Sequence, residues 1–151
     1  MKKILAILSF CLATQFAYSQ QFALGLGNGG LNIKSNHLKR VGAISRIGVS
    51  NITTNNWSVN PSLMGVIRIF DADNAKPYFG IGLGSSFGAN NTYSYNAFIP
   101  VGVEVFPMGQ KRFSITVESQ VGFGTSFVSK AFIYSGFRGL LEFSFYFGKG
   151  E

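Results

Sequence analysis

The residues of this chain with the most capacity for chemistry are charges set singly into otherwise apolar segments. Glu104, Glu118 and Glu142 each stand among small or polar residues that alternate with large apolar ones, and Arg46, Arg68 and Arg138 hold the same kind of position. Successive side chains of a β-strand point to opposite faces, so each of the six falls on the polar face of a strand. A pair of carboxylates can hydrolyse a glycosidic bond by acid and base catalysis, but only in a cleft that admits substrate. Arg68, Glu104, Glu118 and Glu142 fall at similar depth, and three acids with three bases are electrically balanced. They neutralise one another instead, because a charge removed from water is tolerated only when paired and hydrogen-bonded. The expectation is a structural charge cluster and no catalytic site.

His37 is the single histidine, in the polar connection Ser35-Asn36-His37-Leu38-Lys39. A histidine acting as base on a neighbouring serine needs an acidic group to orient it. No acidic residue lies between Gln20 and Phe70, so a solvated turn histidine is expected. One histidine and one cysteine, Cys11, do not make a transition-metal site, and no metal or other cofactor is expected. Lys34, Lys39 and Arg40 flank His37, and Lys111-Arg112 follow a turn. No basic stripe interleaves with aromatics as nucleic-acid binding requires. These rim charges suit phosphorylated lipid headgroups instead.

The elements that must position these residues begin after residue 19. Lys2 and Lys3 precede an apolar run, Ile4 to Ala13, and Ala17-Tyr18-Ser19 forms a small-x-small cleavage site. This pattern predicts an export signal over 1–19 and a single domain over 20–151. Phe10 is too large to precede a lipidated cysteine, so no lipid is expected on Cys11. Loss of Lys2 and Lys3 leaves 11 basic against 6 acidic residues and no cysteine, which excludes disulfides. The remaining chain is apolar and poor in charge, yet no run approaches the ~20 residues that a membrane helix needs. Its apolar residues are dealt out at alternate positions, with nineteen glycines and sixteen phenylalanines in the whole chain. Only helices and closed barrels satisfy their backbone inside lipid, so an exported chain of this kind reads as a β-barrel.

Alternation and turn residues place strands at Arg40–Ser50, Trp57–Phe70, Pro77–Gly88, Tyr95–Phe106, Arg112–Gly124 and Phe137–Phe147. Polar loops are read at Asn51–Asn56 and Ala89–Thr92, and tight turns at Asp71–Asn74 and Pro107–Gln110. Gln21–Lys34 reads as one long strand or as two broken at Asn28-Gly29-Gly30. Thr125–Tyr134 reads as a loop or a further strand. Additional strands in either region bring the count to eight, the smallest usual size for such barrels.

The two faces of these strands differ sharply. On Arg112–Gly124, Phe113, Ile115, Val117, Val121 and Phe123 share one face. Phe113 and Phe123 are ten residues apart, which at ~3.3 Å per residue and ~40° tilt spans about 25 Å, the height of a lipid-facing band between aromatic girdles. Phe79 and Phe87 bracket Ile81 and Leu83, and Trp57 also falls at a strand end. Trp57, Phe79, Phe87, Phe113 and Phe123 are therefore the expected girdle. Opposite Phe79 and Ile81 run Tyr78, Gly80, Gly82 and Gly84, small residues suited to a narrow interior. A nucleotide-binding glycine loop is excluded, because the β alternation continues through them.

Lys76-Pro77-Tyr78-Phe79-Gly80-Ile81-Gly82-Leu83-Gly84 resembles a strand of small outer-membrane β-barrel proteins, the OmpA/OmpX-like class. Leu141, Phe143, Phe145 and Phe147 resemble the terminal strand that barrel-assembly machinery recognises in that class, although here Gly148-Lys149-Gly150-Glu151 follows. The resemblance implies an eight-stranded antiparallel up-and-down transmembrane barrel in the outer membrane of a Gram-negative bacterium, a monomer in contact with outer-membrane lipids and lipopolysaccharide. The expected role is structural or one of surface interaction, with a filled lumen. The alternatives are a lipid A-modifying enzyme that uses His37, and a narrow porin-like channel for small or hydrophobic solutes. Alternation alone also admits a soluble barrel with its apolar face inward.

Overall fold

The computed structural model describes residues 22–35, 40–53, 56–70, 72, 74–89, 93–107, 112–126 and 132–147; the expected export signal and His37 lie outside them. Eight strands follow one another: β1 (Phe22–Gly27), β2 (Gly30–Ser35), β3 (Val41–Thr53), β4 (Asn56–Arg68), β5 (Ala75–Gly88), β6 (Tyr93–Val105), β7 (Phe113–Ser126) and β8 (Phe132–Phe147). Each pairs antiparallel with the next, and β1 pairs with β8 to close the barrel. Closure leaves no sheet edge along the paired length, the condition for a barrel to persist as a monomer.

The first ambiguous region resolves as two short strands. Its chain reverses at Asn28-Gly29, and Gly30 takes a φ of 99° that side chains of L-residues rarely adopt. Of the second, residues 127–131 lie outside the described residues. Its described part extends β7 to Ser126 and begins β8 at Phe132, with a register irregularity between Gly122 and Phe123. The expected polar loop over Asn51–Asn56 is also largely strand. The Ser50 and Ser58 hydroxyls meet at 2.7 Å across β3 and β4, so polar side chains extend the ladder where a purely apolar criterion ends it.

The faces sort by parity. From β2 to β8, up to the register shifts at Ser50/Thr53 and Gly122/Phe123, the even-numbered side chains point inward and the large odd-numbered apolar side chains point outward. Glu118 is 1 % exposed, whereas Phe143 is 45 % exposed. The inside therefore holds the buried charges and the outside the large apolar side chains. Inside, Ile44, Met64, Val66, Tyr78 and Phe98 form an apolar cluster. Gly82 lies under the Phe98 ring, where an added Cβ has no room, so the bare side of β5 is filled from β6.

Gly30→Ala adds a methyl against the Ile47 backbone at a strained φ and is expected to cost about 1–3 kcal/mol. Gly65→Ala, with nothing within 4 Å of the added carbon, is expected to change stability little. Urea titration read by the fluorescence of Trp57, the single tryptophan, separates the two.

Candidate functional site

The inward face gathers two ionic groups. Arg46 on β3 reaches across the bore and donates from Nη1 and Nη2 to the two carboxylate oxygens of Glu118 on β7, both at 2.9 Å. The same guanidinium meets Glu142 on β8 through Nε and through Nη2, the latter at 3.1 Å. Tyr78 Oη donates to Glu118 from β5, and the Gln120 amide donates to it at 2.6 Å. A planar guanidinium between two carboxylates uses the fork geometry that makes arginine pairs strong and directional.

The second group lies closer to the end of the barrel where β1 begins and β8 finishes. Lys34 Nζ on β2 donates to Glu104 on β6 at 2.9 Å and to Thr116 Oγ1 on β7 at 2.7 Å. Ser114 and Tyr146 hydroxyls donate to the same carboxylate, Tyr146 at 2.7 Å. Phe106 and Tyr146 rings then cap this end at 5.7 Å, with Lys76 Nζ 5.6 Å from the Phe106 ring. Arg68 is buried on the inner face of β4, opposite Tyr78 in register.

Of the six charges singled out by the sequence, Arg46, Glu118 and Glu142 come together, Glu104 joins the second group, and Arg68 is buried. Arg138 does not join them. It is on the inward parity of β8, beside Gln120 in register, but it is exposed at the far side of the bore. Its place in the balance is taken by Lys34, which the sequence grouped with the basic connection around His37. The cause is the shortness of β2: Ser35 ends the strand, so Lys34 is still a wall residue, pointing inward. The outward aromatics are where alternation assigns them, with Trp57, Phe79 and Phe123 exposed and Phe87 and Phe113 half-buried. Phe113 stacks on Phe143 and packs on Phe145, and Phe147 stacks on Phe22 across the closing seam at 5.2 Å. Leu141, Phe143, Phe145 and Phe147 all face outward.

The bore is filled only at one end. Beyond Arg46 the inward residues shrink to Ser62, Gly84, Ser86, Ser94 and Gly124, and a cavity of about 460 Å3 remains, with Arg46, Gln120 and Arg138 among its lining. A bore expected to be filled throughout is therefore plugged near the chain termini and hollow toward the other mouth, because small side chains cannot span it. Among the described residues no three metal-ligating side chains converge. Comparison with family models, with curated proteins and with solved structures finds no match.

Arg46→Met leaves two buried carboxylates without their cation and is expected to cost about 3–5 kcal/mol. The triple variant Arg46→Met, Glu118→Gln, Glu142→Gln removes the stranded charges and is expected to regain most of that loss. Denaturant midpoints of the single and triple variants test this order.

Proposed function

We propose that this chain is a small integral outer-membrane β-barrel, inserted after export, with a structural or surface-interaction role and no catalysis. The observation that carries the reading is the exchange of inside and outside. Large apolar side chains such as Leu26, Leu31, Ile81, Leu83, Phe137 and Phe145 are exposed around the wall. Contiguous exposed apolar surface on this scale is a liability in water, and in lipid it is the ordinary condition. Along its paired length a closed ladder also satisfies the backbone that would face hydrocarbon. The aromatic spacing on β7 and the export-like N-terminal segment support the same location. The ionic plug argues against a conducting pore, because Arg46 and Glu118 bind one another across the lumen and displace the water an ion needs.

Two experiments test the reading. The processed protein is expected to fold in detergent micelles into a β-rich form that runs differently on a gel before and after heating, and to stay with lipid vesicles through an alkaline wash. A monodisperse folded protein in detergent-free buffer overturns it. Planar-bilayer recording is expected to be silent, and steady stepwise conductance overturns the plug.

A further inference from the structure

The wall is not of even height. β1 and β2 have six residues each, whereas β3 has 13 and β8 has 16. The register makes the consequence explicit. β1 meets β8 only as far as Gly27 opposite Glu142, and β2 meets β3 only as far as Leu31 opposite Ile47. Beyond those points β3 has β4 and β8 has β7 as its strand partner among the described residues, with one further backbone bond from the Asn28 amide to the Leu141 carbonyl at 3.2 Å. A gap bounded by β3 and β8 therefore opens above the β1–β2 turn. At ~4.8 Å per strand, three spacings make it about 14 Å wide. The five residues of β8 beyond Glu142, Leu141 to Phe137, make it about 13 Å tall after tilt.

The rims of this gap are apolar on the outside. Leu141 and Phe137 on β8 and Val49 on β3 face outward and are exposed, continuing the band formed below by Leu26 and Leu31. The gap thus lies at a depth where the rest of the wall is built for hydrocarbon. Unpaired backbone is not tolerated there unless it lines a polar cavity or is otherwise satisfied. The chain deals with the first step itself: Asn28 Nδ2 donates to the Gly139 carbonyl at 3.2 Å, and Asn28 Oδ1 accepts from the Leu141 amide at 2.9 Å. Behind the gap is the cavity, with Gly29, Arg138 and Leu140 in its lining, Gln120 beside Arg138, and Asn60 and Asn96 on β4 and β6.

Arg138 stands at the meeting of gap and cavity. It is exposed and has no ion-pair partner among the described residues. Nor do the described residues hold a spare acid for it. Of the six acidic residues that follow the export-like segment, Glu118 and Glu142 are held by Arg46 and Glu104 by Lys34. Asp71, Asp73 and Glu151 lie outside the described residues. A guanidinium beside apolar surface without a counter-charge is a strong site for an anion, and it binds carboxylate and phosphate in a bidentate fashion.

We propose that the cavity and the lateral gap together bind one anionic amphiphile. Its carboxylate or phosphate headgroup lies in the cavity against Arg138, with amide donors at hand, and its acyl chain leaves between Val49 and Phe137 into the surrounding lipid. This rests on the membrane reading above and adds a ligand to it. A cavity of about 460 Å3 is of the size that holds a headgroup and not a whole lipid.

The test uses the processed protein folded in a neutral maltoside detergent, with binding followed by native mass spectrometry. Dodecyl phosphate, inorganic phosphate and dodecanol are titrated separately. One dodecyl phosphate per barrel is expected, with inorganic phosphate and dodecanol each binding far more weakly. Arg138→Gln is expected to weaken dodecyl phosphate by about 10- to 100-fold, the loss of one charge-assisted contact, and Arg138→Lys to restore most of it. Ser62→Phe, which fills the cavity from the far wall, is expected to abolish retention. Equal binding by Arg138→Gln overturns the site. Inorganic phosphate binding as tightly as dodecyl phosphate overturns the role of the gap, and dodecanol binding as tightly overturns the role of charge. Failure to fold in detergent sinks the membrane reading, whereas a folded barrel that retains no dodecyl phosphate sinks only this proposal.

Discussion

The architecture depends on a guanidinium held between two carboxylates on the opposite wall. Arg46 joins β3 to β7 through Glu118 and to β8 through Glu142. These strands are far apart in sequence, and no ladder joins β3 to either of them. The net stability gained from such a buried triad is small, since desolvation consumes most of the attraction. Its larger effect is on which arrangements are permitted. A register slip by one residue carries every side chain to the other face. Here a slipped β3 would send Arg46 into apolar surroundings and Ile47 into the charged bore, so the wrong pairing is penalised on both sides.

Much of this was legible in the residues themselves. The alternation of Phe113, Ile115 and Val117 with Ser114, Thr116 and Glu118 was enough for strand, face and polarity, because a period of two needs no knowledge of neighbours. The acidic half of the cluster was legible for the same reason. The basic half was not. Lys34 and Arg138 differ little in local sequence, each polar and each beside small or apolar residues. What separates them is height in the barrel, which follows from how long β2 is and how β8 is staggered against β7. Those are properties of pairing between distant segments, and a single strand carries no record of them. The break in Gln21–Lys34 was equally opaque, since glycines occur both along the wall and at its turn, and only the positive φ at Gly30 marks the reversal.

The same stagger divides the interior into unlike halves. Near the ends of the chain, Lys34, Glu104, Phe106 and Tyr146 fill the bore with large groups whose polar atoms satisfy one another. Toward the other mouth, serine and glycine replace them, and space remains. The wall is tall on β3 to β8 and low on β1 and β2, so the hollow half is also the half with a missing panel. Asn28 bridges the lowest edge of that breach with its side-chain amide, a peptide-like group standing in for the next residue of a strand.

The join between the first strand and the last has a mechanical meaning as well. β7 and β8 run alongside one another over thirteen paired residues, but β1 and β8 zip over only six. Stacked rings of Phe22 and Phe147 act as the clasp at one end of that short zip. Since the work of pulling neighbouring strands apart grows with the length paired, the cylinder is weakest along the three short seams that β1 and β2 make, five or six pairs each, and any machine or force that opens it sideways has the least to do there.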